Sequence, residues 1–288
     1  MSVAAAPKLC LPPKPLTRLP KTTLPAGTVD SHFHVFKPGA PLNSPRSYDP
    51  QMLTLADWQD YASQVGVGAG VLVQPSVYGF DNSVLLDALA ADPKRLRGIV
   101  VLPTDTSESE LRQLDQAGVR GVRINTRNKG GLPFDAVTSF AAALADLDWT
   151  IQFQVKPEQI PDIIALRSSV PSAIVIDHLG FILLGTAQTA THVSDLRRLL
   201  DQPKCYVKLS APYRLGRDSR KAFADVAKRL VASHADRLLW GSDWPHTELW
   251  DDMPDDADLI ESIADWAPTE TIRQAILADN AQSLFFSR

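Results

Sequence analysis

Two short motifs at opposite ends of the chain carry side chains able to do chemistry together. The first is Asp30-Ser31-His32-Phe33-His34 and the second is Gly241-Ser242-Asp243-Trp244-Pro245-His246. Each closes an apolar, strand-like run. Residues two apart in a strand point to the same face. His32 and His34 therefore project together, and Asp243 meets them if the first and last strands are neighbours. Two imidazoles and a carboxylate at strand ends suit a divalent metal, or a general base with electrophilic partners. Such a base, desolvated in a pocket, is expected to titrate near or above the reference carboxylate value of about 3.9.

That meeting needs a fold that brings the first and last strands side by side. Strand candidates, mostly β-branched or apolar, occur at 28–35, 69–76, 97–102, 121–126, 150–155, 173–180, 205–211 and 238–245. Helix-like segments separate them. One, SESELRQLDQAG, opens on a Ser107…Glu110 capping box and ends at Gly118. Strands that are apolar throughout are buried on both faces, as in parallel sheets. Eight repeats of strand then helix predict an α/β chain, a (β/α)₈ TIM barrel over 28–288 behind a Pro-rich arm at 1–27. Barrel sites sit at the C-terminal face, and polar residues collect at that end of the predicted strands. Ser76 ends strand two, Arg123 and Asn125 strand four, Gln154 strand five and His178 strand six, and Arg214 follows strand seven. No Gly-rich phosphate or dinucleotide loop is present.

Composition narrows the function classes. A chain of 288 residues buries a large core as one barrel or as two ordinary domains. A formal charge of −4 gives no footing for general nucleic-acid binding. No apolar run is long enough to span a membrane. Cys10 and Cys205 form no metal or redox spacing, so a reducing cytoplasm is expected. The opening segment lacks the continuous apolar core of a secretory signal. It reads either as an extended arm wrapping the domain or a neighbour, or as a disordered tail. Oligomeric state is left open.

HxH on strand one with an aspartate on strand eight resembles the amidohydrolase superfamily. More narrowly, VDSHFHVF, VLVQPS with GFDN, GVRIN, IVIDHLG, VKLSAPYR and GSDWPH resemble the 2-pyrone-4,6-dicarboxylate lactonase group, in order from about Val29 to Phe285. The stretch from AFADVAKRLVASHADRLLWG through MPDDADL is also similar to D-galactarolactone isomerases. Those isomerases depart from the HxH and strand-eight Asp pattern that this chain keeps, which favours hydrolysis. The resemblance implies a hydrolase that opens a small carboxylated lactone. It implies Asp243 as general base on water, with His32, His34 and His178 around the reacting carbonyl. Ser76, Arg123 and Arg214 match positions that hold substrate carboxylates. Two positions depart from the pattern. Where the lactonases have a second arginine after strand four, this chain reads Thr126-Arg127-Asn128-Lys129, so Arg127 or Lys129 takes that role. Where they have a strand-five tyrosine, it has Gln154. His246 is a further pocket candidate.

The resemblance bears on the metal too. Superfamily members that bind one metal usually add a strand-five histidine, and strand five here offers Phe153 and Gln154. Strand four offers no lysine or glutamate to bridge two ions. The lactonases it resembles work without a metal, so no cofactor is expected. The alternative is one divalent ion such as Zn²⁺ on His32, His34 and Asp243.

Plainer roles compete at each position. The HxH pair also fits buried, hydrogen-bonded histidines, and His178 a structural one. Asp243 also fits a cap on the turn before Trp244-Pro245, and His246 a surface position. Arg123 and Arg214 also fit as partners of acidic groups in the barrel wall. Four functional readings stand: a lactone hydrolase, a metal-dependent decarboxylase, a lactone isomerase and a non-catalytic binding barrel. The expected partner is a small carboxylated lactone, with neither nucleic acid nor membrane.

Overall fold

The structure, a computed structural model, describes residues 6–216 and 219–287. Eight parallel strands pair in chain order. They are β1 (Val29–Phe33), β2 (Ala69–Val73), β3 (Leu96–Val100), β4 (Val119–Asn125), β5 (Thr150–Gln154), β6 (Ala173–Ile176), β7 (Cys205–Leu209) and β8 (Leu238–Trp240). Between them run α1 (Leu55–Val65), α2 (Ser83–Ala91), α3 (Glu108–Gln116), α4 (Val137–Asp146), α5 (Ile160–Leu166), α6 (Thr189–Leu200) and α7 (Ser219–His234). Short helices α8 (Asp256–Glu261), α9 (Ile263–Trp266), α10 (Glu270–Gln274) and α11 (Asn280–Phe285) follow β8. This is the expected (β/α)₈ barrel. The capping box of α3 forms as its sequence indicates: Ser107 Oγ accepts from Glu110 N at 3.3 Å, and Ser107 N donates to Glu110 Oε2 at 2.8 Å.

The barrel closes where β1 meets the segment after β8. Asp243 N donates to His32 O at 2.9 Å, and His34 N donates to Trp244 O at 2.9 Å. Asp30 ties the same seam with its side chain. It accepts from Ser242 N at 2.8 Å, Ser242 Oγ at 2.6 Å, His32 N at 3.1 Å and Trp58 Nε1 of α1 at 3.2 Å. Burial pushes the Asp30 carboxyl up to about 6, against the pull of these donors. The two segments approach so closely that a Cβ on Gly241 would lie 2.8 Å from His32 Cβ.

Alternate strand residues point into the barrel, and they divide into two layers. The lower layer is apolar: Val29, Val71, Val73, Ile99, Val175 and Leu239 cluster with Ala281 and Phe285 of α11. The upper layer is polar and buried, built from Arg123, Gln152, Gln154, Asp177 and Lys208. This segregation fixes the end at which a reactive site can lie.

The strands are shorter than the sequence runs suggest. β8 stops at Trp240, so Asp243 lies in the following loop, where Asp243, His246 and Glu248 have left-handed φ of 61°, 62° and 60°. His178 lies in a 3₁₀ turn, His178–Phe181, after β6, and Ser76 opens another, Ser76–Tyr78, after β2. Residues 6–27 contain no helix or regular strand and lie against the barrel. Cys10 N donates to Asp49 O at 2.8 Å, Leu11 N to Leu249 O at 2.9 Å, and Arg18 reaches Glu261 at 2.6 Å. No helix among the described residues is long and apolar enough to cross a membrane.

The seam generates the first prediction. Asp30→Asn turns an amide donor toward groups that are themselves donors. Urea unfolding should show a loss of about 1–3 kcal/mol. A loss below about 0.5 kcal/mol, within the range of an ordinary surface substitution, would remove Asp30 as the tie.

Candidate active site

β1 and the loop after β8 deliver His32, His34 and Asp243 to one point, and the turn after β6 adds His178. The His32 ring centroid lies 5.0 Å from that of His34 and 4.5 Å from that of His178. Asp243 Oδ1 lies 3.8 Å from His32 Nε2 and 3.6 Å from His178 Nε2. All four side chains are buried. The other Asp243 oxygen is held firmly: Arg214 Nε donates to Oδ2 at 2.7 Å and Tyr213 OH at 2.6 Å.

Each histidine is oriented from behind. His34 Nδ1 lies 2.7 Å from Val73 O, and a carbonyl only accepts, so Nδ1 carries the proton and Nε2 presents a lone pair. His32 Nδ1 faces Lys208 Nζ at 3.1 Å. The ammonium only donates, so this contact favours the proton on His32 Nε2, while the Asp177 carboxylate, with Oδ1 3.3 Å from the same Nδ1, pulls toward the other tautomer. That Nε2 has no hydrogen-bond partner among the described residues. His178 Nδ1 lies 2.8 Å from Ser210 Oγ.

Lys208 belongs to a buried charge network under the histidines. It donates to Ser31 O at 2.8 Å and Gln152 Oε1 at 2.7 Å, and lies 3.3 Å from Asp177 Oδ1. Asp177 Oδ2 accepts from Arg123 Nη2 and from Gln152 Nε2, each at 3.1 Å. Burial opposes the charge on Asp177, but Lys208 and its other neighbours outweigh it and hold the carboxyl well below its usual range. Burial lowers Lys208 to about 8, against the attraction of Asp177, so it remains a cation at neutral pH.

Burial also dominates the histidines. It lowers His34 to about 3 and His178 to about 4, and puts His32 well below its usual value. All three are neutral rings at neutral pH. Asp243 departs from the sequence expectation of a raised carboxyl. Burial pushes it up, but the Arg214 guanidinium prevails and holds it well below the usual carboxylate range.

The pocket above this cluster is lined by Ser76, Arg123, Gln154, His178, Arg214 and Asp243 from the expected set, with His34 at its base. Tyr48, Asn128, Phe181, Thr247 and Glu248 complete the walls. Arg123 and Arg214 face the pocket and also pair with Asp177 and Asp243, so both roles weighed from the sequence meet in the same side chains. Arg127 lies outside the lining, its guanidinium 3.8 Å from the Phe181 ring centroid. Lys129 is exposed, and its backbone N donates to Ser47 Oγ at 3.0 Å. His246 sits behind Tyr213, 2.8 Å from its hydroxyl, with Asp256 Oδ1 3.1 Å from its other nitrogen.

Residues 29–286 match the amidohydrolase family model. The chain belongs to the amidohydrolase family. It is 33% identical over 283 residues to a 2-pyrone-4,6-dicarboxylate hydrolase of Comamonas testosteroni, covering 93% of this chain and 92% of that one. It is 35% identical over 272 residues to a 4-sulfomuconolactone hydrolase of Rhizobium radiobacter, covering 91% of each. A Pseudomonas putida structure described as a candidate 2-pyrone-4,6-dicarboxylic acid hydrolase superposes with a TM-score of 0.80 at 33% identity, covering 91% of this chain and 98% of that one.

Several residues of this amidohydrolase site escaped the sequence reading: Asp177, Lys208, Gln152, Tyr213, Asn128 and Glu248. A signal existed for two of them. Gln152 with Gln154, and Lys208 with Ser210, occupy alternate positions in otherwise apolar strands, which marks an inward polar face. Asn128 and Glu248 lie on loops, where no periodicity applies.

Histidine ¹⁵N resonances test the electrostatics. His32, His34 and His178 should remain neutral from about pH 8 down to about pH 5, with the proton on Nε2 of His32 and on Nδ1 of His34. An imidazolium at His32 or His34 at about pH 6 would contradict the dominance of burial.

Proposed function

We propose that this protein is a hydrolase that opens small carboxylated lactones, with Asp243 as the base that activates water. The observation that carries the reading is the free Asp243 Oδ1, set 3.6–3.8 Å from two imidazole Nε2 atoms while Arg214 and Tyr213 hold Oδ2. Those separations are too long for direct hydrogen bonds, which leaves Oδ1 open to accept from a water. The lactone hydrolases among its relatives support the substrate class.

The roles divide by proton. Asp243 Oδ1 and His34 Nε2 are acceptors, and they hold the water by its two protons. His32 Nε2–H donates to the oxyanion that forms at the ester carbonyl, beside His178. Asp243 takes the water proton during attack and passes it to the departing ring oxygen. Arg214, still able to donate from its remaining N–H groups, holds a substrate carboxylate with Arg123 and Ser76. A carboxylate placed there shares the guanidinium and adds negative charge next to Asp243. Both effects raise the affinity of Asp243 for a proton, so the bound substrate strengthens its own base.

A second reading, with one divalent ion such as Zn²⁺, has a specific observation behind it. His32, His34 and Asp243 offer ligand atoms that all lie within 4.8 Å of one another, and His32 Nε2 is buried and unpaired. The donor set therefore fits a cation. When bound there, the ion would supply Lewis acidity and lower the pKa of water. His32 would then need its proton on Nδ1, facing Asp177 Oδ1 at 3.3 Å, in place of the Lys208 contact. The His32 tautomer separates the two readings, and the Lys208 contact favours the first. We also place the chain in a reducing compartment, as Cys10 and Cys205 are both free thiols.

Asp243→Asn should lower kcat by about 10²–10⁴-fold with the fold intact by circular dichroism. Turnover within about tenfold of the parent would remove Asp243 as base. Arg214→Met should raise KM by the equivalent of about 1.5–3 kcal/mol. It should also move the acid limb of kcat to higher pH, because Asp243 loses the guanidinium that depresses it. An unmoved limb would separate Arg214 from the base. Protein dialysed against a strong chelator should keep its lactonase activity. Activity that vanishes, then returns in proportion to added Zn²⁺ or Mn²⁺, would select the metal reading.

A further inference from the structure

Behind the base lie two buried groups that the reaction above does not use, His246 and Asp256. Neither lines the pocket. Tyr213 stands between them and Asp243. Its hydroxyl lies 2.6 Å from Asp243 Oδ2 and 2.8 Å from His246 Nδ1, and His246 Nε2 lies 3.1 Å from Asp256 Oδ1. The Tyr61 hydroxyl also hydrogen-bonds to Asp256. The backbone is bent to make this contact. His246 N donates to Asp243 O at 2.8 Å, and His246 and Asp243 have left-handed φ of 62° and 61°, which a β-carbon disfavours. Strain of this kind persists where the surroundings fix it, and it gathers at functional sites.

The direction of these hydrogen bonds follows from one proton. Burial, and after it the Asp243 charge, push the Tyr213 phenol well above its usual value, so its proton stays on oxygen. A carboxylate only accepts, so that proton goes to Asp243 Oδ2. Turned toward His246, it would leave two bare oxygens facing each other at 2.6 Å. The Tyr213 oxygen is therefore the acceptor from His246, and Nδ1 donates to it. Asp256 Oδ1 is an acceptor at the other nitrogen, so both ring nitrogens donate and the ring is held from both sides. A ring fixed in this way leaves Tyr213 no second acceptor and commits its proton to the base.

We propose that His246 and Asp256 are positioning residues for the base: through Tyr213 they tie up Asp243 Oδ2, so that Oδ1 is the oxygen that takes the proton from water. This deepens the lactonase reading and rests on it. In the full-length protein, His246→Leu and Tyr213→Phe should each lower kcat on 2-pyrone-4,6-dicarboxylate by about 10–100-fold, as for one lost hydrogen bond to a charge. KM should stay within about twofold, because neither side chain lines the pocket. The double variant should lie within about threefold of Tyr213→Phe, since the group that His246 orients is already gone. Asp256→Asn, whose amide donates to Nε2 and so keeps the proton on Nδ1, should recover most of what Asp256→Leu loses. That pair reads the same link if His246→Leu does not fold. Losses that multiply in the double variant, losses that fall on KM, or equal losses for Asp256→Asn and Asp256→Leu would overturn the assignment. Histidine ¹⁵N resonances of the parent read the arrangement without turnover, and His246 should carry a proton on Nδ1. A lone pair there removes the positioning role whatever lactone is opened. A proton there, with no lactone opened, leaves the orientation of Asp243 standing and removes hydrolysis.

Discussion

A carboxylate sealed from water must be answered by cations, and the upper half of this barrel is organised around that demand at Asp177. Lys208 from β7, Arg123 from β4 and Gln152 from β5 converge on it. A buried charge without partners would cost several kcal/mol, so these four side chains constrain one another. Lys208 in turn meets His32 Nδ1 at 3.1 Å. The reactive face of His32 is thus set by a salt bridge one layer below it. Arg123 carries the same network upward to Gln154 and the pocket wall.

A second charge pair, Asp243 with Arg214, governs the reacting end. It keeps a buried carboxylate ionised where burial alone would favour its neutral form. An ion-paired carboxylate is a weak base, so on the proposed mechanism Asp243 gains strength only when an acidic substrate draws on Arg214. The geometry depends on close approach: Gly241 lets the last strand lie against His32, and left-handed φ at Asp243 and His246 turns the loop back over the barrel.

The barrel and the His32, His34 and Asp243 meeting were legible because both rest on local rules. Strand–helix alternation predicts parallel pairing, and a two-residue spacing predicts a shared face. The placement of Asp243 was right while its context was not, since β8 ends at Trp240 and residues 241–245 form the loop that follows it. The depressed Asp243 carboxyl was illegible because its cause, Arg214, is distant in sequence. The Lys208–Asp177 pairing was illegible because it rests on a distance between two strand ends that no local pattern encodes. Arg127 and Lys129 appeared equivalent as charges, and both are exposed, yet the Arg127 guanidinium lies over Phe181 at the pocket wall, a difference set by loop geometry.

Attack of water on the ester carbonyl leaves an isotopic record. Turnover of a lactone in H₂¹⁸O should place one ¹⁸O in the newly formed carboxylate and leave the former ring oxygen unlabelled, as read by mass spectrometry of the product. A product without label would mean that the acyl group moves between hydroxyls without hydrolysis. Label at the former ring oxygen would mean cleavage on its alkyl side, and either result would contradict an Asp243-activated water at the carbonyl.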